Sequence, residues 1–402
     1  MTTLFLPCAQ GVEELLAAEV QRICGTAAEQ ARGGVWVEGD ELTAMRLNLH
    51  CRLAQRVLWP LIDGPYRDEH DLYDLACHVP WPDLITAEQT LRVDVNAQRS
   101  PLRSLNFAAL RIKDAVCDTV REATGARPSV AQRHADLPLV LFVGPEHATL
   151  YADTSGDALF KRGWREDTGE APLKETLAAA MLAAAGWQGR ADDGPLLDPC
   201  CGAGTIAIEA AQLACGIAPG SLRRFAFERM LRFREHASAW RAMQDEARAL
   251  VHAPATPVFA GDVSFRMTDF ATRNAERAGV LAAIHFKTGD ALQRPAPAAA
   301  GTLMLNPPYG ERIAAKGTGT GTGTGARESF EGGGSSAEFF GGLAAHWKRH
   351  YPGWTAWLLS PDMKLPGLMR LKESRRVPMW NGPIECRLFR FDLVAGSARH
   401  KV

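Results

Sequence analysis

The chain has 402 residues, of which 46% are hydrophobic and 23% charged, with 45 basic side chains against 46 acidic ones. That length predicts roughly two to three domains, each with apolar area enough for a core, and the balance excludes collagen-like, coiled-coil and disordered classes. A net charge of −1 gives no overall pull toward nucleic acid, so any anionic partner has to be met by local clusters.

The opening "MTTLFLPCAQ" lacks the basic residues and small-residue cleavage site of a secretory signal, which leaves the cytoplasm as the expected compartment. "TLFLPCAQ" reads as a short strand, and Gly11 opens the amphipathic helix "VEELLAAEVQRI". "TLRVDVNA" (90–97) reads as a strand, 106–123 as a helix, and "LVLFVGPEHATLYADTS" (139–155) as a hairpin around Gly144. These elements make an α+β module of about 150 residues. Within it, the stretch from Arg99 to Arg133 carries seven basic residues (Arg99, Arg103, Arg111, Lys113, Arg121, Arg127, Arg133) against Asp114, Asp118 and Glu122. Such a cluster is either a solvated face or part of a phosphate-binding track.

Beyond "FKRGWREDTGEAPLKE" the pattern changes to alternating strands and helices, the signature of a doubly wound sheet. The longest apolar run, Thr176 to Trp187, falls short of the ~20 residues a membrane span needs. "GPLLDPCCG" is a strand and turn, and "TIAIEAAQLACG" a helix ended by Gly216. A second basic cluster follows, with Arg223, Arg224, Arg229, Arg232, Arg234 and Arg241 interleaved among Phe225, Phe227, Phe233 and Trp240. "PVFAGDVS", "AAIHFKTGD", "GTLMLNPPYG" and "GWTAWLLSPD" are buried-strand runs whose carboxyl ends should line a site. Residues 316–336, "KGTGTGTGTGARESFEGGGSS", cannot bury enough apolar surface to fold and read as an inserted loop. A third basic cluster holds Lys364, Arg370, Lys372, Arg375 and Arg376, and "RRVPMWNGPIECRLFRFDLV" reads as two strands around Asn381-Gly382, with an antiparallel strand at the end of the sheet.

Nine cysteines without a C-x-x-C pair argue for reduced, mostly buried thiols. His346 and His350 share a helix face without the glutamate of a zinc helix, so a solvated face is expected there and no metal.

The turn "LDPCCGAGTIAIEAA" (197–211) carries the spacing G-x-G-x-x-G/A at Gly202, Gly204 and Ala207. A dinucleotide site would place an acid on the ribose about 20 residues later, yet that distance falls in the Arg/Phe-rich stretch near Glu228. The turn also begins with an acid, Asp198, which disfavours a pyrophosphate and favours a ligand with a positive end. S-adenosylmethionine offers an amino group, a ribose and an adenine amine to three carboxylates, and Asp198, Asp262 and Asp290 end three successive strand runs. Gly202 and Gly204 let the backbone approach, and the helix from Thr205 offers its amide groups to a carboxylate. In "NPPY", the Asn306 oxygen and the Pro307 carbonyl can each accept an N–H of an amine conjugated to a base ring, and Tyr309 can stack on that ring. Such a site takes a base that has left its stack.

These motifs resemble the THUMP-domain, class I S-adenosylmethionine-dependent RNA methyltransferases, in particular the bacterial large-subunit (23S) ribosomal RNA guanine-N2 methyltransferases. The resemblance is carried by "NFAALRIKDAVCDTVREATGARPSV", "DTSGDALFKRGWREDTGEAPLKETLAAAML", "LLDPCCGAGTIAIEAA", "RRFAFERM", "NPPYGERI" and "NGPIECRLFRF", in that order. It implies a ferredoxin-like part over 1–45, a THUMP RNA-binding domain over 46–157 and a Rossmann-like methyltransferase domain over 158–402, its doubly wound sheet closed by an antiparallel last strand. It further implies that Asp198, Cys200, Gly202, Gly204, Thr205, Asp262 and Asp290 hold the cofactor, and that Asn306, Pro307 and Tyr309 hold the target base. Arg99, Arg103, Arg111, Lys113 and Arg127 are expected to grip RNA, while Arg162 and Arg165 either bridge the domains or touch phosphate. The G-T repeat departs from the family pattern, and the chain shows one methyltransferase domain where some members carry two. The expected partner is 23S ribosomal RNA or an assembly intermediate, met as a monomer without a membrane. Transfer RNA guanosine is the nearest rival substrate, and a nicotinamide-dependent oxidoreductase or a non-catalytic RNA-binding assembly factor are the rival classes.

Overall fold

The computed structural model describes residues 2–169, 172–307 and 336–394. The chain divides into two compact units: Met1–Cys8, Glu13–Lys161 and Pro219–Ala249 form the first, and Ala9–Val12, Arg162–Ala218 and Leu250–Val402 the second.

In chain order the first unit begins with β1 (Thr2–Pro7), α1 (Glu13–Cys24), β2 (Glu29–Ala31), β3 (Gly34–Gly39), α2 (Glu41–His50), β4 (Leu58–Pro65) and α3 (Glu69–Cys77). It continues with β5 (Thr90–Ala97), α4 (Leu105–Thr124), β6 (Ser129–Val130), β7 (Leu137–Val143) and β8 (His147–Asp153). Its strands form one eight-stranded sheet in the order β2-β3-β1-β4-β8-β7-β5-β6. The expected strand at 90–97 and the β7–β8 hairpin around Gly144 are present. The basic helix forms because Ser104 caps it, accepting from the Phe107 amide at 3.2 Å, and because Ala108, Ile112, Ala115, Val116 and Val120 bury one face. Gly125, at φ +79°, ends it.

The second unit contains α5 (Glu175–Ala185), β9 (Leu196–Asp198) and α6 (Thr205–Ala214). The chain then leaves for the first unit, where it forms α7 (Ala237–Ala249), and returns as β10 (Val258–Ala260), α8 (Phe265–Arg277), β11 (Ile284–Phe286) and β12 (Gly301–Leu305). It ends with α9 (Ser336–His350), β13 (Trp354–Ser360), α10 (Leu365–Met369), β14 (Arg375–Asn381) and β15 (Ile384–Asp392). The sheet order is β11-β10-β9-β12-β13-β15-β14, with β11, β10, β9, β12 and β13 parallel. Chain order reverses between β9 and β12, so the crevice of this sheet opens at their carboxyl ends. The hairpin β14–β15 turns at Gly382, φ +63°. Its antiparallel strand β15 inserts between β13 and β14, one place in from the edge rather than at it. Pro378 sits on the edge strand β14, where its missing N–H blunts further pairing.

The 158–402 span expected for one domain does not stay together, because the stretch 219–249 packs with the first unit. Its aromatics explain why. Phe225 and Phe227 stack at 5.4 Å, Trp240 meets Phe227 edge-on at 4.9 Å, and Phe233 meets Trp59 edge-on at 6.0 Å. Arg223 donates to the carbonyls of Ala158 and Lys161, and Arg232 lies over Trp59 and pairs with Glu41. The second basic cluster is therefore largely structural: its rings are core, and Arg223, Arg229 and Arg232 bind protein groups. Arg224, Arg234 and Arg241 stay exposed. Replacing Trp240 by alanine leaves a cavity beside the stacked Phe225 and Phe227 rings and should cost the first unit about 3–5 kcal/mol, read as a lowered denaturant midpoint. An unchanged midpoint would show that the excursion is not part of that core.

Candidate active site

Three parallel strands on one side of the switch point end on an acid or are followed by one. Asp198 is the last residue of β9, Asp262 follows β10 by two residues, and Asp290 lies in the turn after β11. Backbone bonds knit these ends together: Gly261 N donates to Asp198 O at 2.9 Å, Lys287 N to Ala260 O at 3.0 Å, and Gly289 N to Asp262 O at 2.9 Å.

The glycine turn is held over them. Cys201 N donates to Gly261 O at 2.8 Å, and Gly202 N to a carboxylate oxygen of Asp262 at 3.0 Å. Gly202, at φ +51°, has open space where a Cβ would stand, which is room for a ligand. Gly204, at φ +90°, is the N-cap of α6, and a Cβ there would lie 3.0 Å from that of Ala271, so this second glycine serves close packing of α6 on α8.

Asp198 is 1% exposed, and its carboxylate accepts from Cys200 N at 3.2 Å. Burial, and then the Asp262 carboxylate, push its pKa up to about 8 despite that hydrogen bond. Burial also raises Asp262. The half-buried Cys200 thiol is pushed well above its ordinary value by burial and by the fields of Asp262, Asp198 and Asp290. A protonated thiol among three acids is no nucleophile. The cluster instead calls for a positive or hydrogen-donating ligand, and this fits the amino group, ribose and adenine amine of S-adenosylmethionine.

Asn306 and Pro307 follow β12 on the same edge of the sheet, because β12 runs parallel to β9 with Leu303 opposite Leu197. Leu303, Met304 and Leu305 are fully buried, which fixes the strand end; Asn306 is half-buried and Pro307 buried. Tyr309 and the loop 316–336 lie outside the described residues.

The cationic expectations divide. Arg99, Arg103, Arg127 and Arg133 are exposed on the first unit. Arg111 lies over the Tyr73 ring at 4.3 Å and 3.5 Å from Asp114, while Lys113 pairs with the same carboxylate at 2.6 Å, so their charge is partly neutralised. Arg162 is 2% exposed and pairs with Glu209 at 3.0 Å, and a phosphate cannot reach it. Arg165 binds Glu175 and the hydroxyl of Thr205, each at 2.7 Å, and so braces the start of α6. Both were expected to bridge domains or bind phosphate; their ion pairs with Glu209 and Glu175 lie within the second unit, where buried acids on α6 and α5 demand cationic partners. His346 is not on a solvated face either: its Nε2 lies 2.7 Å from the carbonyl of Arg294.

Sequence reasoning missed Asn274, fully buried on α8, whose amide donates to Ala203 O at 3.1 Å and to Asp167 O at 2.8 Å. Its signal was available as a polar residue on the apolar stripe of Met267, Ala271 and Ala275.

Comparison with known proteins gives three domain matches in succession. An RlmL ferredoxin-like domain matches residues 3–58, a THUMP domain 66–153, and an RMKL-like methyltransferase domain 162–321. The chain is 35% identical to the ribosomal RNA large subunit methyltransferase K/L of Shewanella amazonensis over 410 residues, covering 100% of this chain and 54% of the relative. It is 35% identical to the protein of the same name from Psychromonas ingrahamii, covering 96% of this chain and 50% of the relative. It thus spans about half the length of these curated relatives. Among solved structures, a chain in complex with SAH superposes with a TM-score of 0.84 at 22% identity, over 99% of both chains. One from Listeria monocytogenes, described as a predicted N6-adenine-specific DNA methylase, superposes with a TM-score of 0.81 at 26% identity, over 97% of this chain and 96% of that one. A ferredoxin-like part, a THUMP domain and an RMKL-like methyltransferase domain thus match in succession along the chain.

Proposed function

We propose that the second unit binds S-adenosylmethionine and transfers its methyl group to the exocyclic N2 amine of a guanosine in large-subunit ribosomal RNA, which the first unit grips in the cytoplasm. The observation that carries this reading is that Asp198, Asp262 and the turn before Asp290 stand at adjoining strand ends, tied by the bonds from Gly261 N to Asp198 O and from Gly289 N to Asp262 O, on the sheet edge where β12 delivers Asn306 and Pro307. The name of the Shewanella and Psychromonas relatives supports the ribosomal target. The exposed Arg99, Arg103 and Arg127 on the first unit support an RNA partner.

Asp198 would hold the amino group, Asp262 the ribose and Asp290 the adenine amine, and Gly202 leaves the space in which they meet. When bound, the cofactor supplies a methyl group on a positively charged sulfur, a strong electrophile. The protein's part is then positioning. Asn306 Oδ1 and the Pro307 carbonyl accept the N–H bonds of the target amine, which draws its lone pair out of the ring and toward the methyl donor, and no strong base is required. The Listeria neighbour supports adenine as a second reading, since an exocyclic N6 amine needs the same two acceptors.

The test is methyl transfer from labelled S-adenosylmethionine to undermodified ribosomal RNA and, separately, to transfer RNA, with the products digested and the nucleoside identified by mass. N2-methylguanosine from ribosomal RNA is the expected result. The same nucleoside from transfer RNA alone would move the enzyme to the rival substrate, N6-methyladenosine would move it to the rival base, and no transfer to RNA or ribosomal particles would overturn the reading.

A further inference from the structure

We infer that Asn274 is a positioning residue of this crevice: its one side-chain amide latches the glycine turn to the strap 165–167, so that the backbone around Gly202 is held in its ligand-binding shape before a ligand arrives. The inference rests on the cofactor reading above.

The turn needs such a hold. Ala203 stands between Gly202 at φ +51° and Gly204 at φ +90°, and a residue flanked by two glycines has many backbone conformations within reach. Three bonds restrain it: Cys201 N to Gly261 O, Gly202 N to the Asp262 carboxylate, and Gly204 N to Cys201 O at 2.8 Å. Asn274 adds a fourth, on the Ala203 carbonyl, where its Nδ2 donates at 3.1 Å.

The same nitrogen donates to Asp167 O at 2.8 Å. Asn274 Oδ1 accepts from Arg277 Nη1 at 2.8 Å and lies 3.4 Å from the backbone amides of Glu166 and Asp167. With two carbonyls around its nitrogen and N–H groups around its oxygen, the amide has one orientation, and both of its N–H donors are used. Gly204 completes the fit, since a Cβ there would press on Ala271, three residues before Asn274 on the same face of α8.

The strap is itself anchored on both sides. The Asp167 carboxylate pairs with Arg277 and, at 3.2 Å, with Arg273, and Glu166 pairs with Arg277 Nε at 3.1 Å, so α8 holds it from one side. On the other, Arg165 reaches Glu175 on α5 and Thr205, the first residue of α6. The strap therefore grips the start of α6 through Arg165 and the turn before it through Asn274.

This latch serves binding more than folding. Ordering a glycine turn costs conformational freedom, and a site ordered in advance binds more tightly than one that must order on binding. The packing of α8 does not depend on the amide, because Met267, Ala271 and Ala275 bury its face. Loss of the amide should loosen the turn and the strap while the unit stays folded.

The experiment measures two things on the full chain, well below its melting temperature: S-adenosylhomocysteine affinity by calorimetry, and backbone amide hydrogen exchange by mass spectrometry. Asn274→Leu keeps the volume and removes both N–H donors. It should bind about tenfold more weakly, and its ligand-free form should exchange about tenfold faster over 200–205 and 165–167, with β13 and β15 unchanged. Asn274→Ala carries the same expectation if the leucine variant does not fold. Leu388→Ala is the control: it removes a fully buried side chain of β15 and destabilises the same unit, yet should keep affinity within about twofold and leave exchange in both segments as in wild type. Unchanged affinity in the Asn274 variants would overturn the inference. So would exchange that rises evenly across the unit, or a loss of affinity matched by Leu388→Ala, since either would make Asn274 a general stabiliser. A wild type that binds no S-adenosylhomocysteine would overturn the cofactor reading and the ligand role of the latch together, whereas wild-type binding with slow exchange in the Asn274 variants would overturn the latch alone.

Discussion

Asp198→Asn should weaken S-adenosylhomocysteine binding by about 100-fold or more and, at the same time, raise the melting temperature of the ligand-free protein at pH 8. The two effects share one cause. Asp198 is 1% exposed beside the Asp262 carboxylate, so its pKa is about 8 in the folded chain against an ordinary value of 3.8. Below pH 4 both the folded and the unfolded chain carry the proton and the group is neutral toward stability. As pH rises from 4 to 8 the unfolded chain releases its proton and the folded chain does not, so folding is progressively disfavoured, by up to about 1.4 kcal/mol per pH unit. Above pH 8 the penalty is constant. Asparagine keeps the acceptor for the Cys200 amide and carries none of this penalty, so the variant should melt several degrees higher at pH 8, with the difference closing as pH falls toward 4.5. The same substitution removes the carboxylate that a cationic ligand end would pair with, and losing one partner of a desolvated charge pair costs about 2–5 kcal/mol. Calorimetric binding and thermal melts at pH 4.5, 6 and 8 read both arms. Undiminished affinity would remove Asp198 from the binding site, and a lower melting point at pH 8 would show that burial of its charge is not what the fold opposes.

Asp198 illustrates how far this site was legible. Its proposed role follows from one local fact, an acid opening a glycine turn, and the strand pattern of the second unit then gives the crevice, because buried parallel strands write themselves as apolar runs ending in polar residues. The positions of Asp262 and Asp290 followed from the same rule. The acid partners of Arg162 and Arg165 were not legible because a cation near a domain junction looks the same in sequence whether it faces water or a buried acid. Its partners, Glu209 and Glu175, lie 47 and 10 residues away, and such pairing is a tertiary fact. The stretch 219–249, which lies within the methyltransferase match over 162–321, packs with the first unit, and the sequence hid this for a related reason. Arginines alternating with aromatics suit both a nucleic-acid surface and an aromatic core roofed by cations, and only packing separates them: Phe225, Phe227, Phe233 and Trp240 are all buried. Asn274 and Arg294 act through backbone carbonyls, Ala203 and Asp167 for one, Ala260 and Lys287 for the other. Contacts with backbone leave no complementary residue to find in the sequence.

Asn306→Ala should reduce methyl transfer about 100- to 1000-fold while S-adenosylhomocysteine affinity stays within about threefold of wild type. The crevice that would hold the cofactor is built by β9, β10 and β11, whereas Asn306 stands past β12, on the other side of the switch point. The two functions are therefore carried by different strand ends, and a change at one need not disturb the other. The strand that delivers Asn306 is anchored by Leu303, Met304 and Leu305, all at 0% exposure, so truncation of the half-buried side chain beyond them should leave the strand end in place. What is lost is an acceptor. An exocyclic amine on a base ring shares its lone pair with the ring and attacks an electrophile only when its N–H bonds are held so that the nitrogen can pyramidalise. One acceptor remains on the Pro307 carbonyl, which cannot hold both hydrogens. Asn306→Asp supplies the control, since a carboxylate accepts the same hydrogen bond in nearly the same space and should retain transfer to within about tenfold of wild type. Single-turnover methylation with saturating cofactor measures this directly. Alanine and aspartate variants that lose activity equally would point to a structural requirement for the asparagine amide, and an alanine variant with full activity would place the acceptor elsewhere in the site.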